Sequence, residues 1–295
     1  MIAAKTVTGT TMKVGFIGLG HLGRTIAGHL IAEGVDLSVW NRTPEKAAGL
    51  QVPVASSPRE LAGKAEVIIL NLFDSDAVDA VLQGPEGIFS GNSAGKTIID
   101  TTTNHFEQVL AFHAVCREHG VSYLECPVLG SVVPASQGAL TVLVSGDRDV
   151  YETVRSLLEK IGRTHFFLGE PALATKMKLV NNLVLGSYMA TCAEAVALGE
   201  AAGISRADCI DILLAGAGNS MVLNAKKDKL KNVEFSTHFS SALIYKDLHY
   251  LQDLCRTMKK PLFTGSMVKE VFALTRSRGI DDLDFSAVYR IFREA

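Results

Sequence analysis

No two cysteines of the chain stand in a C-x-x-C spacing. The five present, Cys116, Cys126, Cys192, Cys209 and Cys255, are odd in number and scattered, so they imply neither a disulfide framework nor a zinc site. The eight histidines never fall at metal-ligand spacings, and no metal is expected. No apolar stretch reaches ~18 residues free of charge, which excludes a helical membrane span. Residues 1 to 12 lack both the apolar core of a secretory signal and the Arg-rich pattern of a transit peptide. They read as an added leader or an alternative start, and a cytoplasmic protein is expected. A charge excess is missing too. With 29 Lys+Arg against 31 Asp+Glu, the net charge of -2 gives no general attraction to nucleic acid or to an anionic membrane.

What is present is an ordinary globular composition, 47% hydrophobic and 20% charged, in 295 residues, a length that suits two domains. From Lys13 short β-branched runs alternate with helical patterns: KVGFI, LSVW (37–40), EVIIL (66–70), KTIID (96–100), VSYLE (121–125) and ALTVLVSG (139–146). This alternation predicts βαβ units in a mostly parallel sheet. Ser57 to Glu60 and Asn104 to Glu107 have capping-box spacing ahead of helices. After Phe167 strand signals fade. Residues 172–202 form one long helical pattern that stops at Gly203, and helices are predicted near 206–215, 221–230, 239–258, 262–279 and 284–293. The expected architecture is an α/β Rossmann domain over 12–172, followed by an all-α domain over 173–295, joined by the long helix. A cleft between them is where a ligand is expected.

Gly18-Leu19-Gly20-His21-Leu22-Gly23 is a G-x-G-x-x-G directly after the strand VGFI and at the start of a helix. The first glycine allows the tight turn, the second a close approach of backbone to pyrophosphate and the third close helix-strand packing, while the helix N-terminus attracts negative charge. A bare glycine turn would need no such context. An NAD site would place Asp or Glu at the end of the second strand, where this chain has Trp40-Asn41-Arg42-Thr43. A guanidinium there pairs with a 2′-phosphate, and Asn41 and Thr43 add donors, so NADP(H) is the expected cofactor in preference to a merely solvated Arg42. The glycosylation sequon in Asn41-Arg42-Thr43 is incidental.

Glu125-Cys126-Pro127-Val128-Leu129-Gly130-Ser131 follows the fifth strand at the carboxyl edge of the sheet. Gly130 and Ser131 can offer backbone N–H groups and a hydroxyl to a carboxylate, although the segment could equally be an ordinary loop. Lys178 and Asn182 share a helix face four residues apart, whereas Lys176 points elsewhere. Read alone, such a pair is more often a solvated edge, and Phe239 and Lys246-Asp247 read first as parts of an amphipathic helix. Gly91-Asn92-Ser93-Ala94-Gly95 matches a nucleophile elbow but precedes a strand, which places the serine wrongly for that role.

In order, GFIGLGHLG (15–23), VWNRT (39–43), DTTTN (100–104), ECPVLGS (125–131), KLVNN (178–182) and KD (246–247) resemble the β-hydroxyacid dehydrogenase family. Within it the chain is most similar to NADPH-dependent glyoxylate/succinic semialdehyde reductases, through VWNRT, PVLGSVVPASQGAL, ATKMKLVNN and DLDFSAV (282–288). The resemblance implies that Lys178 is the catalytic acid/base and that Asn182 helps to place the substrate. It implies Thr103 beside nicotinamide and substrate, Gly130 and Ser131 on the substrate carboxylate, and Phe239 and Asp247 closing the pocket. Asn71, Leu72, Phe73 and Lys246 are implied on the cofactor side. Leu129 departs from the family, which has a serine there that helps to bind the carboxylate. The departure admits a bulkier or less acidic substrate.

The expected reaction is hydride transfer from NADPH to a small aldehyde or keto acid, glyoxylate or succinic semialdehyde first. Reduction is the expected direction because NADP pools are kept reduced. The alternatives are a related dehydrogenase or imine reductase acting on a bulkier substrate, and a non-catalytic NADP-binding module, against which Lys178 speaks. A homodimer or homotetramer is expected, with no nucleic-acid or membrane partner.

Overall fold

The computed structural model describes residues 12–294, and the expectation about a leader falls almost wholly outside them. The chain divides into two compact units. One comprises the residues up to Thr102 together with Gln108–Pro171, and the other Thr103–Glu107 together with the chain from Ala172 onward.

The first unit runs β1 (Lys13–Ile17), α1 (His21–Ala32), β2 (Asp36–Trp40), α2 (Pro58–Lys64), β3 (Val67–Leu70), α3 (Ser75–Gln83), β4 (Thr97–Asp100), α4 (Phe106–Glu118), β5 (Ser122–Glu125), β6 (Val128–Leu129), α5 (Val132–Ala135), β7 (Thr141–Ser145), α6 (Arg148–Ile161) and β8 (Thr164–Gly169). The strands form an eight-stranded sheet in the order β2-β1-β3-β4-β5-β7-β6, with β8 on β7. From β2 to β5 all pairs are parallel, and β3 is buried along its whole length, as a strand covered on both faces must be. Side chains of β1, α1, β3, β7 and α6 share one apolar core that includes Phe16, Ile26, Ile69, Val142 and Leu158.

Sequence reading missed β6, only two residues long, and β8, whose Thr164–Gly169 run has little alternation. It also missed two antiparallel junctions, β5 with β7 and β6 with β7. At α2 the serine half of the capping box is present, while the glutamate reaches one residue further back, to Ser56. Ser57 Oγ accepts Glu60 N at 3.1 Å, while the Glu60 carboxylate accepts Ser56 N at 2.6 Å. At the second, Asn104 to Glu107, α4 starts at Phe106, and Glu107 N is met by His105 Nδ1 at 3.3 Å.

The second unit is all-helical, with α7 (Leu173–Ala201), α8 (Arg206–Ala215), α9 (Met221–Asn232), α10 (Ser241–Thr257), α11 (Phe263–Ser277), a short 3-10 turn (Phe285–Val288) and α12 (Tyr289–Glu294). Ser205, Ser220 and Ser240 cap α8, α9 and α10 through their side chains. The core gathers Phe106, Leu179, Met189, Ile244, Leu248, Phe272 and Tyr289 around α7. Gly186 lets α10 lie close against α7, since a Cβ there would stand 3.3 Å from Ile244. That closeness brings side chains of the two helices together one turn away. Among the described residues no helix is long and apolar enough to cross a membrane.

Candidate active site

In the first unit the glycine loop is built by exclusion. Gly18 has φ +102°, and a Cβ there would lie 2.1 Å from Asn71 O, so only glycine fits the turn. A Cβ on Gly23 would meet Gly18 O at the same 2.1 Å, whereas at Gly20 it would meet nothing within 4 Å. The middle glycine therefore leaves space beside the start of α1, where no described side chain caps the helix. Uncapped N–H groups and open space suit a pyrophosphate. Leu19 is buried, while His21 is exposed and Leu22 half-buried.

Asn41 organises this edge. Its Oδ1 accepts Leu19 N at 2.8 Å, and its Nδ2 donates to Thr43 O at 2.9 Å, which ties the glycine loop to the end of β2. One of the two amide hydrogens expected to reach a 2′-phosphate is thereby committed to the loop. Arg42 and Thr43 are exposed. Arg24, which sequence reading passed over, donates to Ala48 O at 2.7 Å and also to Lys46 O, fastening α1 to the turn after Arg42. Between them lies a hollow of about 290 Å³ lined by Leu19, Gly20, His21, Arg24, Glu45 and Lys46. Asn71 Nδ2 donates to Thr101 Oγ1 at 2.8 Å and Leu72 N to Thr102 Oγ1 at 3.0 Å, and Phe73 is exposed. Beneath them Asp100 accepts Thr102 N at 2.9 Å and Tyr123 OH at 2.6 Å. Asp100, Thr101 and Thr102 thus support the loop, and the signal for them was the DTTTN run itself.

Leu129 is half-buried and pairs with Thr141 in the sheet. Gly130 follows at φ +117°, where a Cβ would strike Leu140 at 2.7 Å, and Ser131 begins α5 without using its side chain as a cap. The turn points the chain away from β6 with a glycine that only a sharp reversal requires.

In the second unit Lys178 and Asn182 are both buried, at 8% and 0% exposure, so the solvated-edge reading fails. Asn182 Nδ2 donates to Asp247 Oδ2 at 2.6 Å, across from α7 to α10. Asp247 Oδ1 lies 3.0 Å from Lys246 Nζ in an ion pair, and Lys246 Nζ donates to Thr103 O at 2.7 Å. Lys246 also stands 4.9 Å from the Tyr250 ring centroid. Burial pushes the Lys178 ammonium down to about 8; Asp247 opposes that shift and the like charge of Lys246 adds to it. The result is an amine poised near neutrality. Phe239 is half-buried beside the start of α10. Asn182, Asp247, Lys246 and Thr103 are thereby joined in one polar cluster, and the charges of Asp247 and Lys246 act on Lys178.

Residues 13–169 match the family described as the NAD binding domain of 6-phosphogluconate dehydrogenase, and residues 173–292 that described as the NAD-binding of NADP-dependent 3-hydroxyisobutyrate dehydrogenase. The chain belongs to the β-hydroxyacid dehydrogenase family. The chain is 33% identical over 287 residues to the cytokine-like nuclear factor N-PAC of Mus musculus, covering 97% of this chain and 52% of that protein. The chain thus spans about half the length of the curated relatives of that name. It is 31% identical over 288 residues to the chloroplastic glyoxylate/succinic semialdehyde reductase 2 of Arabidopsis thaliana, covering 97% of this chain and 80% of that one. In fold it is similar to the crystal structure of 3-hydroxyisobutyrate dehydrogenase from Salmonella typhimurium, with a TM-score of 0.89 at 24% identity, covering 95% of this chain and 100% of that one. The Rossmann unit followed by a helical unit is the architecture expected from the sequence.

Proposed function

We propose that this member of the β-hydroxyacid dehydrogenase family uses NADPH to reduce a small aldehyde or keto acid of the glyoxylate/succinic semialdehyde class. The observation that carries the reading is the buried Lys178, a single amine brought near neutrality beside Asn182 and Asp247. A group so costly to bury supports a role beyond dinucleotide binding. NADPH, when bound, supplies the hydride. The uncapped start of α1 would hold the pyrophosphate and Arg42 the 2′-phosphate, with the Asn71–Phe73 loop on the cofactor side. Lys178 donates a hydrogen bond to the carbonyl oxygen, stabilises the growing negative charge there and delivers the proton. Asn182, held by Asp247, and Thr103 orient the substrate, while Gly130 and Ser131 take its carboxylate.

The Arabidopsis relative, by its name, supports the substrate class. Leu129 favours a second reading, a bulkier or less acidic carbonyl or imine substrate, because it brings apolar volume where the family resemblance calls for a serine hydroxyl. A panel of carbonyl acids and imines of rising size, each followed by NADPH consumption, separates the two. Turnover of glyoxylate or succinic semialdehyde ahead of the rest supports the first. Failure of the whole panel, with NADPH still bound, overturns the enzymatic reading.

A further inference from the structure

The segment carrying DLDFSAV takes no part in the chemistry above. In the helical unit it lies along the turn 235–240. Asp284 is fully buried, and its Oδ2 accepts Lys226 Nζ at 2.7 Å, His238 N at 3.1 Å and Phe239 N at 3.3 Å. Its Oδ1 accepts Ser286 Oγ at 2.7 Å and Ser286 N at 3.2 Å. The backbones are laced as well: Asp284 N donates to Phe235 O at 3.1 Å, Phe285 N to Phe239 O at 2.8 Å and Ser241 N to Leu283 O at 3.0 Å. The Phe285 ring meets the Phe239 ring edge to face, with centroids 5.5 Å apart, and Lys226 Nζ lies 5.2 Å from the Phe285 centroid. One turn along α9, Lys229 Nζ holds Ser236 O at 2.6 Å.

A buried ion pair seldom adds stability over well-packed apolar side chains, because desolvation cancels the attraction. What it can add is a single geometry. Here two of the five bonds on the carboxylate, those from His238 N and Phe239 N, and the ring contact beside it hold the segment that leads into the helix carrying Lys246 and Asp247. We propose that the Lys226–Asp284 pair is a positioning device for the reaction, with Asp284 fixing the Phe239 main chain and Phe285 fixing its ring against the substrate. The inference rests on the reductase reading in so far as Phe239 meets the substrate.

The test compares Asp284→Asn, Phe239→Ala and their double variant in the full chain, with the doubly neutral Lys226→Met/Asp284→Asn as the variant that buries no lone charge. Two quantities are read: steady-state kinetics on the carbonyl acid that the wild type turns over, and backbone hydrogen exchange of 235–242. Asp284→Asn should raise KM by about tenfold with kcat changed much less, and adding it to Phe239→Ala should do little more, since both act through one ring. Exchange over 235–242 should quicken by about tenfold in Asp284→Asn and in the neutral double variant, with the rest of α10 unchanged. Independent, additive effects on KM overturn the proposal, as does unchanged exchange in either variant. If the wild type reduces nothing, the reductase reading falls by itself, and the exchange data still decide whether Asp284 holds the turn.

Discussion

In the proposed reaction Lys178 is the residue on which most of the chemistry turns, and its surroundings set a sign that can be measured. The ammonium is the form that stabilises an alkoxide and gives up a proton. With its pKa held down to about 8 by burial, reduction should be level below that pH and kcat/KM should fall about tenfold for each further unit above it. Lys246→Met removes the like charge that helps to depress the amine and leaves Asp247 without its ion pair. Both changes favour the ammonium, so the alkaline limb should move to higher pH. Asp247→Asn should move it to lower pH. A pH profile that ignores both substitutions would mean that Lys178 is not the titrating group. Lys178→Ala itself should lower kcat by at least ~10² with NADPH affinity nearly unchanged, and Lys176→Ala should do little. Equal losses from the two would mean that the wrong face of α7 had been assigned.

At the scale of elements, what could be read in the chain followed from local pattern. A strand, three glycines and a helix in sequence predict the loop at 18–23, and serine caps mark helix starts. Pairings between distant residues left no such mark. Asn182 and Asp247 are 65 positions apart, and only the close contact of α7 with α10 at Gly186 joins them. Lys226 and Asp284 are 58 positions apart, and nothing in their local sequence marks them as partners. Strand β6 escaped because two residues carry no periodicity, yet it ends on the position where the chain departs from its family. There the hydrogen-bond account and the steric account of Leu129 differ. If a carboxylate bond has been lost, Leu129→Ser should lower KM for glyoxylate by about tenfold, the share of one bond to a charged group. Leu129→Ala should then help much less. Equal gains from alanine and serine would show that Leu129 acts through bulk alone, in favour of the larger-substrate reading.

For the whole molecule, the glycine loop and Arg42 lie in the first unit and the buried Lys178 in the second, and cofactor choice can be tested without any turnover. A ligand that binds only the folded chain stabilises it by RT ln(1 + [L]/Kd), about 2.7 kcal/mol at a hundred times Kd. Arg42 is exposed at the end of β2, in a place where NAD enzymes put a carboxylate. NADPH should therefore raise Tm clearly more than the same concentration of NADH, a tenfold preference in Kd corresponding to ~1.4 kcal/mol. Arg42→Asp should abolish or reverse that order, because the new carboxylate repels the 2′-phosphate and accepts from a ribose hydroxyl. Lys178→Ala should leave the NADPH shift intact while activity is lost. Equal shifts with both cofactors in the unaltered chain would remove Arg42 from the 2′-phosphate. A shift lost in Lys178→Ala would instead mean that the amine holds the cofactor, and the proton-donor assignment would fall with it.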